Sequence, residues 1–282
     1  MTAHPLLLAP GPVDLGAMPT DATPGWTDGK KAGLRAMEEH GPELADLQER
    51  LYAEGRAHAS NRRVLLVLQG MDTSGKGGVL RHAVGLVDPQ GVKITSFKRP
   101  TAEELDHDFL WRIRQALPEP GYLGVFDRSH YEDVLVARVE GLASPDEIAD
   151  RYAAINDFER ELTEDGTVVV KCLLHISPEE QKERLLARLD DPTKHWKYNP
   201  GDLDVRAKWD EYRTAYELAL QRTNTDHAPW YVVPSDKKWY RNLAVGQLLM
   251  AALRDLELTW PVADFDVDGE RARLLSEGRQ IE

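Results

Sequence analysis

Five short apolar runs recur along the chain: RVLLVLQG, VKITSF, GYLGVFD, TVVVKCLLHI and WYVVP. Longer stretches separate them, in which apolar residues return every three or four positions. Runs of that length bounded by Gly, Pro or Asp read as strands buried on both faces, and the stretches between them as amphipathic helices. From about Asp28 to Arg56, Leu34, Met37, Leu44, Leu47 and Leu51 outline a first helix, with Pro42 expected to break or restart it. Lys76 to Val87 reads as a helix ending near DPQG. TAEELDHDFLWRIRQAL reads as another, opened by Thr101 as N-cap with Glu104 closing a capping box. Further helices are expected from about Pro145 to Leu162, from the cap and first-turn proline Ser177-Pro178, up to about Arg222, and from Trp239 to Leu256. Strands alternating with helices predict an α/β fold with a parallel sheet covered on both faces. Right-handed crossovers then bring the C-terminal ends of all strands to one edge, where ligands bind.

Organisation outside this alternation is sparse. Residues 1–27, rich in Pro and Gly, are expected to form an extended arm lying on the domain or on a partner subunit. Residues 28–258 form the main domain, and residues 259–282 a C-terminal tail. The 282 residues suffice for one full core, and 41% hydrophobic with 29% charged residues is ordinary globular composition. A net charge of −13 argues against a general nucleic-acid or membrane-surface binder. Cys172 stands alone inside an apolar run, so no intramolecular disulfide can form and a buried thiol is expected. No apolar stretch approaches the roughly 20 residues of a membrane span, and the N-terminus lacks a basic n-region, so the expectation is a cytoplasmic protein.

Candidate chemistry concentrates in QGMDTSGKGG, residues 69–78, directly after the first strand. Gly70 to Gly77 has the form G-x4-G-K-G between a strand and a helix, the context that a phosphate loop requires. Glycines allow successive N–H groups to face one anion, and Lys76 adds a mobile charge for terminal phosphates. Gly70, Thr73, Ser74, Gly75, Gly77 and Gly78 are therefore candidate phosphate-binding positions. Loops of this spacing usually carry a Ser or Thr after the lysine to help hold Mg²⁺; Gly77 cannot do so. Asp72, inside the loop, and Asp127, at the end of GYLGVFD, offer two carboxylates in its place.

The segments GMDTSGKGG, SFKRPTAEELDHDFLWR, FDRSHYEDVLVARV, HISPEEQKERLLARLDDPTKHWK and APWYVVPSDKKWYRN, in this order, resemble the polyphosphate kinase 2 family. The resemblance spans about Asp28 to Leu256. It implies a three-layer α/β/α P-loop kinase fold with a five-stranded parallel sheet and a helical lid at about 184–213. It implies that Lys76 acts on the transferring phosphates, that Asp72 and Asp127 position metal and phosphate, and that Arg128 binds phosphate. Arg184 and Arg188, one turn apart, would flank the lid as further catalytic residues, with Lys194 and Lys197 meeting phosphate as it closes. Lys98 and Arg99, just past a strand end, would extend a basic track for a polyanion in spite of the acidic whole. SHYED resembles the branch that accepts both AMP and ADP, which makes Glu132 and Asp133 candidates for the nucleotide side.

The implied activity is Mg²⁺-dependent phosphoryl transfer between inorganic polyphosphate and AMP, ADP or ATP, with Mn²⁺ as a possible substitute. The acceptor is an ionised phosphate, so no strong base is needed, and no histidine is placed as one. The implied partners are these substrates and other copies of the chain, as a dimer or tetramer, with neither nucleic acid nor membrane. The alternatives are an ATP-dependent nucleoside-monophosphate kinase, a GTPase-type switch and a binding module without turnover. Gly77 with Asp72 counts against the first, and the absence of an N-K-x-D motif against the second.

Overall fold

The computed structural model describes residues 4–277. An extended arm leads into α1 (Gly29–Arg56), β1 (Arg63–Gln69), α2 (Lys76–His82), β2 (Val92–Ser96), α3 (Ala102–Leu105) and α4 (Trp111–Ala116). There follow β3 (Leu123–Asp127), α5 (Glu132–Val139), α6 (Pro145–Glu164), β4 (Thr167–His175) and α7 (Pro178–Leu189). The chain continues through α8 (Asp202–Ala207), α9 (Trp209–Thr223), β5 (Trp230–Pro234), α10 (Lys238–Arg254) and α11 (Val267–Ser276). The expected arm and tail are described from residue 4 and up to residue 277; residues 1–3 and 278–282 lie outside the described residues.

The five strands form one parallel sheet in the order β2-β3-β1-β4-β5. The strand period of two sorts its side chains between two cores. Val64, Leu66 and Leu68 of β1 join α1, α2 and α10 on one face, while Leu65 and Val67 join α5, α6 and α9 on the other. These are the three layers expected. In register, Leu68 lies beside Asp127, Asp127 beside Ser96, and His175 beside Pro234, so the strand ends share one edge. Cys172 is buried, and burial pushes its thiol well above the ordinary range.

The arm lies on its own chain. Leu7 bridges Tyr231 antiparallel, and the flanking bonds Leu8 N to Trp230 O (2.8 Å) and Val232 N to Leu6 O (2.9 Å) cover the edge that β5 would otherwise expose. Farther along, His175 Nε2 bonds to Leu15 O and Met18 O, and Thr20 Oγ1 donates to Asp236 Oδ2.

Three local expectations need correction. Pro42 does not break α1, which runs unbroken because Gly33, Ala36, Met37, Gly41, Leu44 and Leu51 bury one face along its length. Leu34 is off that face and 47% exposed. The helix expected from Thr101 is two pieces: its capping box forms, but Asp108 Oδ1 accepts from Leu110 N at 2.9 Å and diverts the backbone before α4. Among the described residues no helix is long and apolar enough to cross a membrane.

The C-terminal end of α1 meets the loop before β3 backbone to backbone. A Cβ on Gly55 would fall 2.5 Å from Gly121 Cα and from Pro120 O. Gly55→Ala is therefore expected to cost about 1–3 kcal/mol in denaturant titration, as overpacking does. An unchanged midpoint would show that this contact can relax freely.

Candidate active site

The loop between β1 and α2 is bent by Gly70 (φ +150°), Thr73 (φ +64°) and Gly75 (φ +111°). A β-branched residue at positive φ is strained by about 1–3 kcal/mol, and such strain persists only where surroundings impose it. Here Arg184 Nη1 holds the carbonyls of Thr73 (2.8 Å) and Ser74 (3.0 Å), and Gln181 Nε2 holds that of Asp72 (3.0 Å). Lys76 folds back so that Nζ donates to Gly70 O at 2.8 Å. A Cβ on Gly77 would meet nothing within 4 Å, so a hydroxyl would fit there and its absence is a matter of chemistry, not space. Thr73 Oγ1 and Ser74 Oγ are buried without a hydrogen-bond partner.

Arg128 follows β3 at φ +64°, with its N–H on Leu68 O, and its Nη2 donates to Asp72 Oδ1 at 2.8 Å. The strained turn thus carries a guanidinium from β3 onto the phosphate loop. Burial works against the Arg128 charge, but Glu132, Asp72 and Asp127 outweigh it and raise its pKa. Lys76 is lowered by burial and then by Arg128, against the pull of Asp72, Asp127 and Glu132. Burial raises Glu132, opposed by Arg128 and Lys76. In the orientation that satisfies both ends of its amide, Gln69 donates to Glu132 Oε1 at 3.0 Å and accepts from Ser129. Lys76, Arg128, Asp72, Asp127 and Glu132 therefore form one mutually interacting cluster at the edge of the sheet.

The remaining candidates stand around this cluster. Lys98 and Arg99 are exposed and line a groove of about 350 Å³ past the end of β2, with Thr101, Glu104 and Arg112. Arg188 is half-buried, with Nη1 on Lys197 O at 2.9 Å and 3.6 Å from Asp202 Oδ2. Lys194 pairs with Asp191 at 2.7 Å, and Lys197 lies over the exposed Trp196 ring, both on the turn Pro192–Lys197.

Residues 29–259 match the family model described as Polyphosphate kinase 2 (PPK2). The chain belongs to the polyphosphate kinase 2 family. It is 45% identical to the AMP/ADP-polyphosphate phosphotransferase of Meiothermus ruber over 251 residues, 89% of this chain and 92% of that one. It is 41% identical to the ADP-polyphosphate phosphotransferase of Rhodopseudomonas palustris, over 88% of each chain. The crystal structure of polyphosphate kinase 2 from Arthrobacter aurescens TC1 superposes with a TM-score of 0.93 at 54% identity, covering 96% of this chain and 95% of that one.

Within this polyphosphate kinase 2 chain, two candidates differ from the sequence reading. Arg184 does not share an open face with Arg188: Nε pairs with Glu180 at 2.7 Å, and its remaining donors hold the carbonyls of Thr73, Ser74, Ser235 and Asp236. With its donors engaged in this way it braces the loop. Asp133 faces away from the cluster: it accepts from Arg112 Nη2 at 3.3 Å, and Arg112 Nη1 holds Lys98 O at 2.9 Å. That places Asp133 as a strut between α5 and the loop after β2.

Other residues went unassigned from the sequence. Arg241 of α10 donates to Ser74 O at 3.1 Å, Gln181 caps Asp72 O, and Tyr216 lies beside Gly70. Asp202 is raised by burial and then by Asp72, so it too reaches the cluster. Gln181 stands one turn before Arg184 on α7, a spacing that sets the two side chains side by side but does not name the loop carbonyls as their target. For Tyr216 and Asp202 the sequence carried no signal.

Proposed function

We propose that this chain transfers a terminal phosphoryl group reversibly between inorganic polyphosphate and adenine nucleotides, taking AMP to ADP and ADP to ATP. The observation that carries this reading is the Asp72–Arg128 pair, which joins the phosphate loop to the end of β3 beside Lys76 and Asp127. Donor and acceptor are both polyanions, so the work of the protein is to hold them in line and offset their repulsion. Lys76 and Arg128 supply fixed positive charge where the transferring oxygens would lie. Arg188, Lys194 and Lys197 would bring further charge if the region 184–213 closes as a lid, and Lys98 with Arg99 would extend the track. The names of the Meiothermus and Rhodopseudomonas relatives support adenine nucleotides as acceptors.

Asp72 and Asp127 are the residues that would hold Mg²⁺ or Mn²⁺. Among the described residues no group of three or more His, Cys, Asp or Glu side chains forms a self-sufficient metal site. Two carboxylates that both act on Lys76 nevertheless fit a hard cation that takes the rest of its oxygen shell from substrate phosphates and water. When bound, that ion supplies charge neutralisation along the phosphates.

The direct test supplies ADP, and separately AMP, with long-chain polyphosphate and Mg²⁺ and follows ADP and ATP. Polyphosphate-dependent product from both acceptors is expected. No product with polyphosphate, but turnover with ATP as donor, would leave a nucleoside-monophosphate kinase instead.

A further inference from the structure

The phosphate loop rests on a second buried cation. Arg241 is 3% exposed, and its Nη1 donates to the same Ser74 carbonyl that Arg184 holds, at 3.1 and 3.0 Å. Its guanidinium fills the space that side chains would need at two glycines of the loop. A Cβ on Gly75 would lie 1.6 Å from Nη1, and one on Gly78 would lie 2.3 Å from Nη2. Gly75 has a conformational reason to be glycine at φ +111°; the contact with Arg241 gives Gly78 its own. Nε and Nη2 bond to Asn242 Oδ1, a neutral acceptor, and among the described residues Arg241 forms no ion pair. Glu180, the acidic group that acts on it, is already paired with Arg184. Burial and then Arg184 hold Arg241 down to about 10, so at neutral pH it keeps its charge.

We propose that Arg241 is a positioning residue for polyphosphate binding: it pins the Ser74 carbonyl inward, keeping the loop N–H groups turned outward, and places an uncompensated charge beneath the bound anion. Two guanidiniums on one carbonyl without a second carboxylate repel each other, and this arrangement gains most when an anion lies on the other side of the loop. A neutral wedge would fill the same space without that coupling. The assignment rests on the loop being the polyphosphate site.

The test measures equilibrium binding of polyphosphate to the full chain, with turnover assayed separately. Arg241→Ala is expected to weaken binding about tenfold to hundredfold, the worth of a charge-assisted hydrogen bond. Guanidinium chloride, at concentrations below those that unfold the protein, should recover part of that loss where sodium chloride of equal ionic strength does not. Arg241→Lys, which keeps the stem and the charge, should bind between parent and alanine variant. Gly78→Ala should weaken binding in the parent but add little in the Arg241→Ala background, since the clash partner is gone. Parental polyphosphate affinity in Arg241→Ala, with only a lower melting temperature, would overturn the proposal. So would independent, additive effects of Gly78→Ala and Arg241→Ala. If the parent binds polyphosphate yet produces no nucleotide, the functional reading fails while these binding comparisons still decide the role of Arg241.

Discussion

Asp127→Asn is expected to lower turnover by about hundredfold or more, the scale of losing a charge aimed at a transition state. The melting temperature should stay within about 4 °C of the parent, as for a change of about 1 kcal/mol or less. Asparagine keeps the shape of the side chain at the end of β3 and removes only the charge. Among the described residues the Asp127 carboxylate accepts no hydrogen bond, while its backbone carbonyl accepts from Phe97 N, a bond that asparagine preserves. Its influence is electrostatic, reaching Lys76 and Arg128. If Asp127 helps to hold Mg²⁺, the variant should also need more metal for half-maximal rate. Near-parental turnover at saturating metal would remove Asp127 from the chemistry. Asp72→Asn is the informative companion, since Asp72 also orients Arg128 through the 2.8 Å ion pair. Losing both tasks should affect polyphosphate KM as well as kcat.

The sheet and the loop were legible because they rest on local rules. A continuous apolar run such as VLLVL reads as a strand buried on both faces, and Gly70 to Gly77 follows it directly. Asp127 was found for the same reason, since a strand carries its last residue to a known edge. What failed depended on groups far away in sequence. Arg184 reads as half of a basic helix face, but its destination is set by carbonyls at Thr73 and Ser74, more than a hundred residues earlier. A backbone carbonyl leaves no mark in the sequence, so neither Arg184 nor Arg241 could be assigned to the loop from its residues. Pro42 shows the reverse case, where a correct local penalty is outweighed by a long packed face. Lys171 is similar: a lysine inside TVVVKCLLHI has no local explanation and is fully buried.

That lysine sets the largest expected effect on stability. Lys171 Nζ lies 2.6 Å from Glu159 Oε2 and also donates to Tyr131 OH (2.9 Å) and Thr223 O (2.8 Å). Tyr131 OH in turn donates to Glu159 Oε1 at 2.8 Å, and His130 Nε2 lies 3.2 Å from the same oxygen. Burial favours the neutral acid at Glu159, but Lys171 and His130 outweigh it and hold the carboxyl below its usual range. Removing one partner leaves the other charge buried and uncompensated, so Lys171→Met and Glu159→Gln should each cost about 3–5 kcal/mol. The double variant should lose less than either single one, because both desolvation costs disappear together. Denaturant titration of the four proteins measures this; additive losses would show that the pair is not coupled. The network lies in the same turn as the active-site cluster, since His130 and Tyr131 directly precede Glu132 and follow Arg128 by two and three positions. Anchoring that turn to β4 and α6 fixes where Arg128 starts. The double variant, if it folds as expected, should therefore still lose turnover through a looser Arg128, and parental turnover would confine the network to stability alone.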